Sequence, residues 1–123
     1  VLPMPVERME AHPAARQDCG RVALQRGPVV YCLEEVDNGP GLNDLALPAK
    51  ARVAVRRDPK LFGGVPVLVT KGNRRSPADW KDTLYRPARH EPLSVPVKAI
   101  PYFLWANRAP GEMLVWIRES DHP

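Results

Sequence analysis

The chain has 123 residues, 44% hydrophobic and 26% charged, which is the size and balance of one globular domain. Its 15 prolines are scattered, and they exclude a mostly helical fold because proline interrupts helix interiors. The net charge of +4 comes from dispersed arginines without a recognition motif, so we expect no nucleic-acid partner. No apolar run reaches the ~20 residues of a membrane helix, and no leader is recognisable, so we expect no membrane partner and a cytoplasmic protein.

Period-two alternation predicts strands along most of the chain. After an edge strand at residues 1–6, one short helical turn is expected near residues 13–19, with Gly20 as its stop. Further strands are predicted at 21–25, 29–35, 51–57 and 65–70. Residues 99–106 and 112–118 read as a long hairpin around Pro110-Gly111. Seven or eight short strands predict an all-β fold. Because some of these strands are apolar on both faces, we expect an antiparallel β-sandwich of the jelly-roll type.

No catalytic, cofactor-binding or metal-binding residue emerges from the pattern. Glu34 and Glu35 are neighbours on a strand, so their side chains point apart and cannot flank one glycosidic bond; they are predicted to mark a solvated strand end. Cys32 reads as a small core residue. With Cys19 it could form a disulfide, although free thiols are favoured. The three histidines show no metal-ligand spacing.

Aromatic and arginine residues in polar segments form the one candidate surface. Such residues either dock onto a neighbouring domain or stack against sugars. The candidate residues for this surface are Trp80, Tyr85, Arg86, Trp105 and Arg108.

Two stretches look like more than a generic sandwich: AHPAARQDCGRVALQRGPVVYCLEEVDN (11–38) and AIPYFLWANRAPGEMLVWI (99–117). Together they resemble the C-terminal β-sandwich region of glycoside hydrolase family 127, the β-L-arabinofuranosidase family. The resemblance implies a parent enzyme with an α/α barrel that carries a cysteine nucleophile, a glutamate acid/base and a zinc ion. None of these can be placed on this chain, which has no adjacent cysteine pair.

We therefore expect residues 1–123 to form a single domain, a C-terminal fragment of a larger glycoside hydrolase whose catalytic α/α barrel is absent. The sequence begins with Val1, inside a strand-like segment, and this agrees with the expectation of a fragment. The expected function is that of a non-catalytic accessory domain, inactive alone and without a cofactor. Its partner would be the barrel of the same parent chain, or a second subunit in a homodimer. The alternative is a carbohydrate-binding module for arabinose-containing glycans. The parent's substrate and its export stay open.

Overall fold

The structure, a computed structural model, describes residues 4–75, 84–85 and 93–120. Among these residues, one single-turn helix, α1 (Glu35–Asn38), and 3-10 turns at Arg16–Asp18, Leu42–Asp44 and Tyr102–Leu104 lie between the strands. None of the helices described is long and apolar enough to cross a membrane. The strands in chain order are β1 (Val6–Met9), β2 (Arg21–Arg26), β3 (Val29–Glu34), β4 (Leu45–Pro48), β5 (Ala54–Arg57), β6 (Pro66–Arg74), β7 (Leu93–Pro101), β8 (Met113–Leu114) and β9 (Ile117–Ser120).

Six of the strands close into a barrel in the order β2-β9-β4-β6-β7-β3, and β3 pairs back onto β2 through Gln25↔Val30 and Arg26↔Val29. Neighbouring strands of the ring run antiparallel except β4 and β9, which run parallel. The remaining strands extend the ring, with β1 on β2, β5 on β6 and β8 on β3. The all-β class is confirmed, but the expected jelly-roll sandwich is wrong.

The two apolar faces of β3 explain the error. Tyr31 and Leu33 belong to a buried cluster to which all six ring strands contribute, so this cluster fills the barrel. Cys32 belongs to a second, smaller cluster with Val67 and Ile100 on the outside of the same strands. That outer cluster is covered by partly buried side chains from loops and from β8: Leu61, Phe62, Leu104, Met113 and Val115. A strand can thus be apolar on both faces without a second sheet, because loops cover the outside.

The predicted long hairpin is also wrong. β7 ends at Pro101 in the 3-10 turn Tyr102–Leu104, and it pairs with β6 and β3. β8 pairs with β3, while β9 pairs with β2 and β4. Trp116, expected in mid-strand, lies in the bend between β8 and β9. The short helical turn expected near residues 13–19 is a 3-10 turn, Arg16–Asp18, with Gly20 following at φ +73°.

Candidate functional site

The two sequence blocks that carry the family resemblance meet at one end of the barrel. β3 lies between β7 and β8 there, with Leu33 opposite Ala99 on one side and Leu114 on the other. Glu34 pairs with Met113, which places the end of β3 beside the segment that follows β7. The residues after β3 and after β7 are therefore brought together by strand register, and they form the best-defined candidate site.

An ion cluster of Glu34, Asp37 and Arg108 joins these two segments. The guanidinium of Arg108 donates two hydrogen bonds to the carboxylate of Asp37, at 2.7 and 2.6 Å. The Glu34 carboxylate lies 3.6 Å from Arg108 Nη2. The side chains of Asp37 and Glu34 are only 6% and 4% exposed, against 23% for Arg108. The hydrogen bonds that Arg108 donates to Asp37 raise the pKa of Arg108, so the guanidinium stays charged.

Glu34 is buried, so the expectation of a solvated strand end is wrong for it. The strand turns into α1 immediately after Glu34, and the segment around Ala106 covers its side chain. The backbone N–H of Ala106 donates to Glu34 Oε2 at 3.4 Å, whereas Oε1 has no hydrogen-bond partner among the described residues. A buried carboxylate needs a nearby cation, and Arg108 supplies it.

Glu35 and Glu112 have structural contacts as well. Glu35 Oε1 accepts a hydrogen bond from the backbone N–H of Glu112 at 3.1 Å, and Glu112 Oε2 accepts one from the N–H of Gly41 at 2.6 Å. These bonds connect the segment after β3 to the start of β8. The side chains of Glu34 and Glu35 therefore do not converge on a common point. The sequence predicted this, because neighbours on a strand point apart.

Exposed aromatic rings stand directly beside the ion cluster, on the segment we call the aromatic turn (residues 102–105). Tyr102 and Trp105 are each 46% exposed and Phe103 is 66% exposed. The rings of Tyr102 and Trp105 stack with centroids 6.2 Å apart and 27° between their planes. Leu104 points the other way and packs on the outer cluster, so the turn is anchored while its aromatic rings face solvent.

The ion cluster holds this turn in place. Ala106 follows the turn at φ +66°, an uncommon value for a residue other than glycine. Its N–H is bound by Glu34, and Arg108, two residues further on, is bound by Asp37. The Arg108 guanidinium also lies over the ring of Phe62, 5.0 Å from its centroid. The chain after the turn is thus fixed to β3, α1 and the loop that contains Phe62.

The cysteines and the possible metal ligands can be described for the same part of the chain. Burial, with help from Glu34 and Asp37, raises the pKa of Cys32 to about 12, so its thiol stays protonated at neutral pH. Both cysteines are free, Cys19 exposed and Cys32 buried. No group of three His, Cys, Asp or Glu side chains in the described ranges could hold a metal ion.

Of the predicted surface residues, the structure brings Trp105 and Arg108 together at the aromatic turn. Trp105 is half-exposed, whereas Arg108 serves the internal ion cluster. Tyr85 is 89% exposed. Trp80 and Arg86 lie outside the described residues. Phe103 and Tyr102 do not stand out in the sequence, because residues 99–106 read as one strand, which would bury every second side chain.

Comparisons with known proteins agree with the sequence resemblance. A sequence profile described as the glycoside hydrolase family 127 C-terminal domain matches residues 6–118. The non-reducing end β-L-arabinofuranosidase of Bifidobacterium longum subsp. longum is 39% identical over 127 residues, covering 95% of this chain and 18% of that protein.

Solved structures give the same result. The crystal structure of a GH127 β-L-arabinofuranosidase from Geobacillus stearothermophilus T6 matches with a TM-score of 0.90 and 52% identity, over 96% of this chain and 19% of that one. A second GH127 β-arabinofuranosidase matches at a TM-score of 0.78 and 29% identity, over 95% and 17%. The chain spans about a fifth of the length of these relatives. It belongs to the family of C-terminal domains of glycoside hydrolase family 127.

Proposed function

We propose that this chain is a non-catalytic accessory domain that packs through its aromatic turn against the remainder of a longer β-L-arabinofuranosidase-like protein. The observation that carries the proposal is the aromatic turn itself, three exposed rings held at fixed positions by a buried ion cluster. Fixing exposed apolar rings is costly in water and becomes favourable once a partner covers them. We expect the domain alone to have no hydrolase activity and to need no cofactor.

The partner we propose is the catalytic part of the same protein, since the relatives are about five times longer than this chain. Interfaces between domains of one chain commonly bury roughly 600–1,500 Å², an area that three aromatic side chains and their neighbours can nucleate. A second copy of the chain is another surface that the aromatic turn could meet. Sedimentation of the 123-residue chain over a range of concentrations would reveal that self-association.

The test compares one substitution in two contexts. Phe103→Ser is made in the 123-residue chain and in the Geobacillus enzyme after exchange of its matching segment, 19% of that chain, for this one. In the isolated chain Phe103 is already 66% exposed, so we expect a change within about 0.5 kcal/mol. In the longer protein the same substitution removes a buried ring and should destabilise the domain contact by about 2 kcal/mol, read as a lower melting temperature.

Leu93→Ser is the matched control, because Leu93 has the same 66% exposure but lies at the start of β7. The proposal requires that Leu93→Ser leave the longer protein unchanged. Equal melting temperatures for the Phe103→Ser and unsubstituted longer proteins would show that the aromatic turn is not at the contact.

The second candidate function is binding of arabinose-containing glycans, favoured by the half-exposed and stacked rings of Tyr102 and Trp105. Exposed aromatic faces pack against the C–H face of a sugar ring. Calorimetric titration with β-L-arabinofuranosyl oligosaccharides tests it. Heat that disappears in Trp105→Ala, but persists in Tyr85→Ala, would favour a recognition module over the accessory role.

A further inference from the structure

A basic groove lies on the other side of β6, away from the contacts described so far. It has a volume of about 600 Å³ and forms where β6 leaves its partner β5 and turns towards β4. The connection from β4 to β5 makes one wall, and residues of β6 and β7 make the opposite wall. Four cationic side chains line it: Lys50, Arg52, Arg56 and Lys71.

The charge of the described residues that line this groove is unbalanced. No aspartate or glutamate is among the described residues that line it. The four cations make no salt bridge with any other residue that the structure describes. Like charges gathered around one concavity raise the local potential, which favours an anionic ligand.

Apolar and neutral polar residues also line the groove. The apolar ones are Ala51, Ala54, Val69 and Pro96. Ser94 supplies a hydroxyl group, whereas Asn73, its partner across β6 and β7, is buried and donates its amide N–H to Ser120 Oγ at 3.4 Å. The ligand that fits this lining has negative charges, hydroxyl groups and an apolar face in one molecule.

The wall formed by the β4–β5 connection is fixed rather than loose. Arg8 donates hydrogen bonds to the carbonyl oxygens of Pro48 and Ala51, at 2.9 and 2.8 Å. Across the groove, Thr70 Oγ1 donates to the carbonyl of Arg52 at 2.8 Å. The site is therefore preformed, which lowers the entropy cost of binding.

We propose that this groove binds an oligosaccharide that carries uronic-acid carboxylates. The cations would meet the carboxylates, Ser94 would meet a ring hydroxyl, and the apolar lining residues would meet the C–H face of the sugar. A single-stranded nucleic acid fits less well, because none of the described residues that line the groove offers an aromatic ring for a base to stack on. An acidic peptide has the charge but not the density of hydroxyl groups, and it is the competing outcome of the test.

The experiment titrates the ¹⁵N-labelled 123-residue chain with an oligogalacturonate and follows amide chemical shifts. We expect shifts confined to residues of the groove, and binding that weakens as salt rises. The variant Lys50→Gln/Arg52→Gln/Lys71→Gln should bind about tenfold more weakly, since three exposed charge contacts are lost.

A charge-matched control variant is Arg16→Gln/Lys60→Gln/Arg75→Gln, whose three residues are exposed and do not line the groove. It should bind as the unsubstituted chain does. Equal weakening by both variants would mean attraction to net charge alone and would overturn the proposal. So would a polyglutamate peptide that binds in the groove as tightly as the oligogalacturonate, or an absence of shifts at low salt. The amide spectra also report whether each variant is folded.

Discussion

Replacing Arg108 with methionine keeps an unbranched stem but removes the guanidinium that faces Asp37 and Glu34. Both carboxylates are then left almost fully buried, at 6% and 4% exposure, without their cation. Breaking a buried ion pair lowers the free energy of unfolding by roughly 3–5 kcal/mol. Because Arg108 is 23% exposed, we expect the lower end of this range, a loss of about 3 kcal/mol. For a domain of this size, that loss lowers the melting temperature by about 10 °C.

Urea denaturation followed by tryptophan fluorescence is the assay. With a slope of about 2 kcal/mol per molar, the midpoint should fall by about 1.5 M. A double-mutant cycle with Asp37→Asn isolates the pair: the two substitutions together should cost less than their sum by about 1–2 kcal/mol. Arg16→Met is the control, because Arg16 is exposed on a 3-10 turn. If Arg108→Met lowers the free energy of unfolding by less than about 1 kcal/mol, or if the coupling energy between Arg108 and Asp37 is zero, this cluster does not anchor the aromatic turn.

The raised pKa of Cys32 predicts an alkaline loss of stability. Its thiol ionises near 9.0 when unfolded and near 12 when folded, so above pH 9 the unfolded chain releases the proton first and the free energy of unfolding falls until about pH 12. Cys32→Ala should reduce that slope in alkaline denaturation curves, and an unchanged slope would assign it to other groups. At neutral pH a thiol reagent should label Cys19 and reach Cys32 only after unfolding, and labelling of both in the folded chain would contradict its burial. Gly72→Ala should cost about 1–3 kcal/mol in urea denaturation, because a Cβ would lie 2.8 Å from Val97 and 2.9 Å from the Ala46 carbonyl. Full stability in that variant would mean that β4, β6 and β7 shift apart easily.

Local patterns in the sequence predicted several of the strands, but not β4 and not which strands pair. Alternation identified β2, β3, β5 and β6 to within a few residues, since it depends only on which side chains face the core. Whether β3 pairs with β2 and closes a ring depends on contacts far apart in sequence. Closure of the barrel takes the place of the second sheet of a sandwich. The hydrophobic periodicity of a strand is the same in a barrel and in a sandwich, so it does not distinguish them.

In the candidate site, too, local patterns identify single residues but not the contacts between distant parts of the chain. Trp105 was identified because a large ring at the end of a strand is conspicuous in a sequence. The pairing of Asp37 with Arg108 depends on the register of β3 against β8, which no local pattern contains. Glu34 was misread for that reason, because the residues that bury it lie about seventy positions away in the chain.

The position of β9 has a consequence for how the chain folds as it is made. β9 lies between β2 and β4, and its pairing with β4 is the parallel one. Until residues 117–120 have left the ribosome, Arg21 and Val22 of β2 and one edge of β4 lack their partner, and the buried cluster is open on that side. The barrel therefore cannot close progressively during synthesis, and its closure is delayed until residues 117–120 are available.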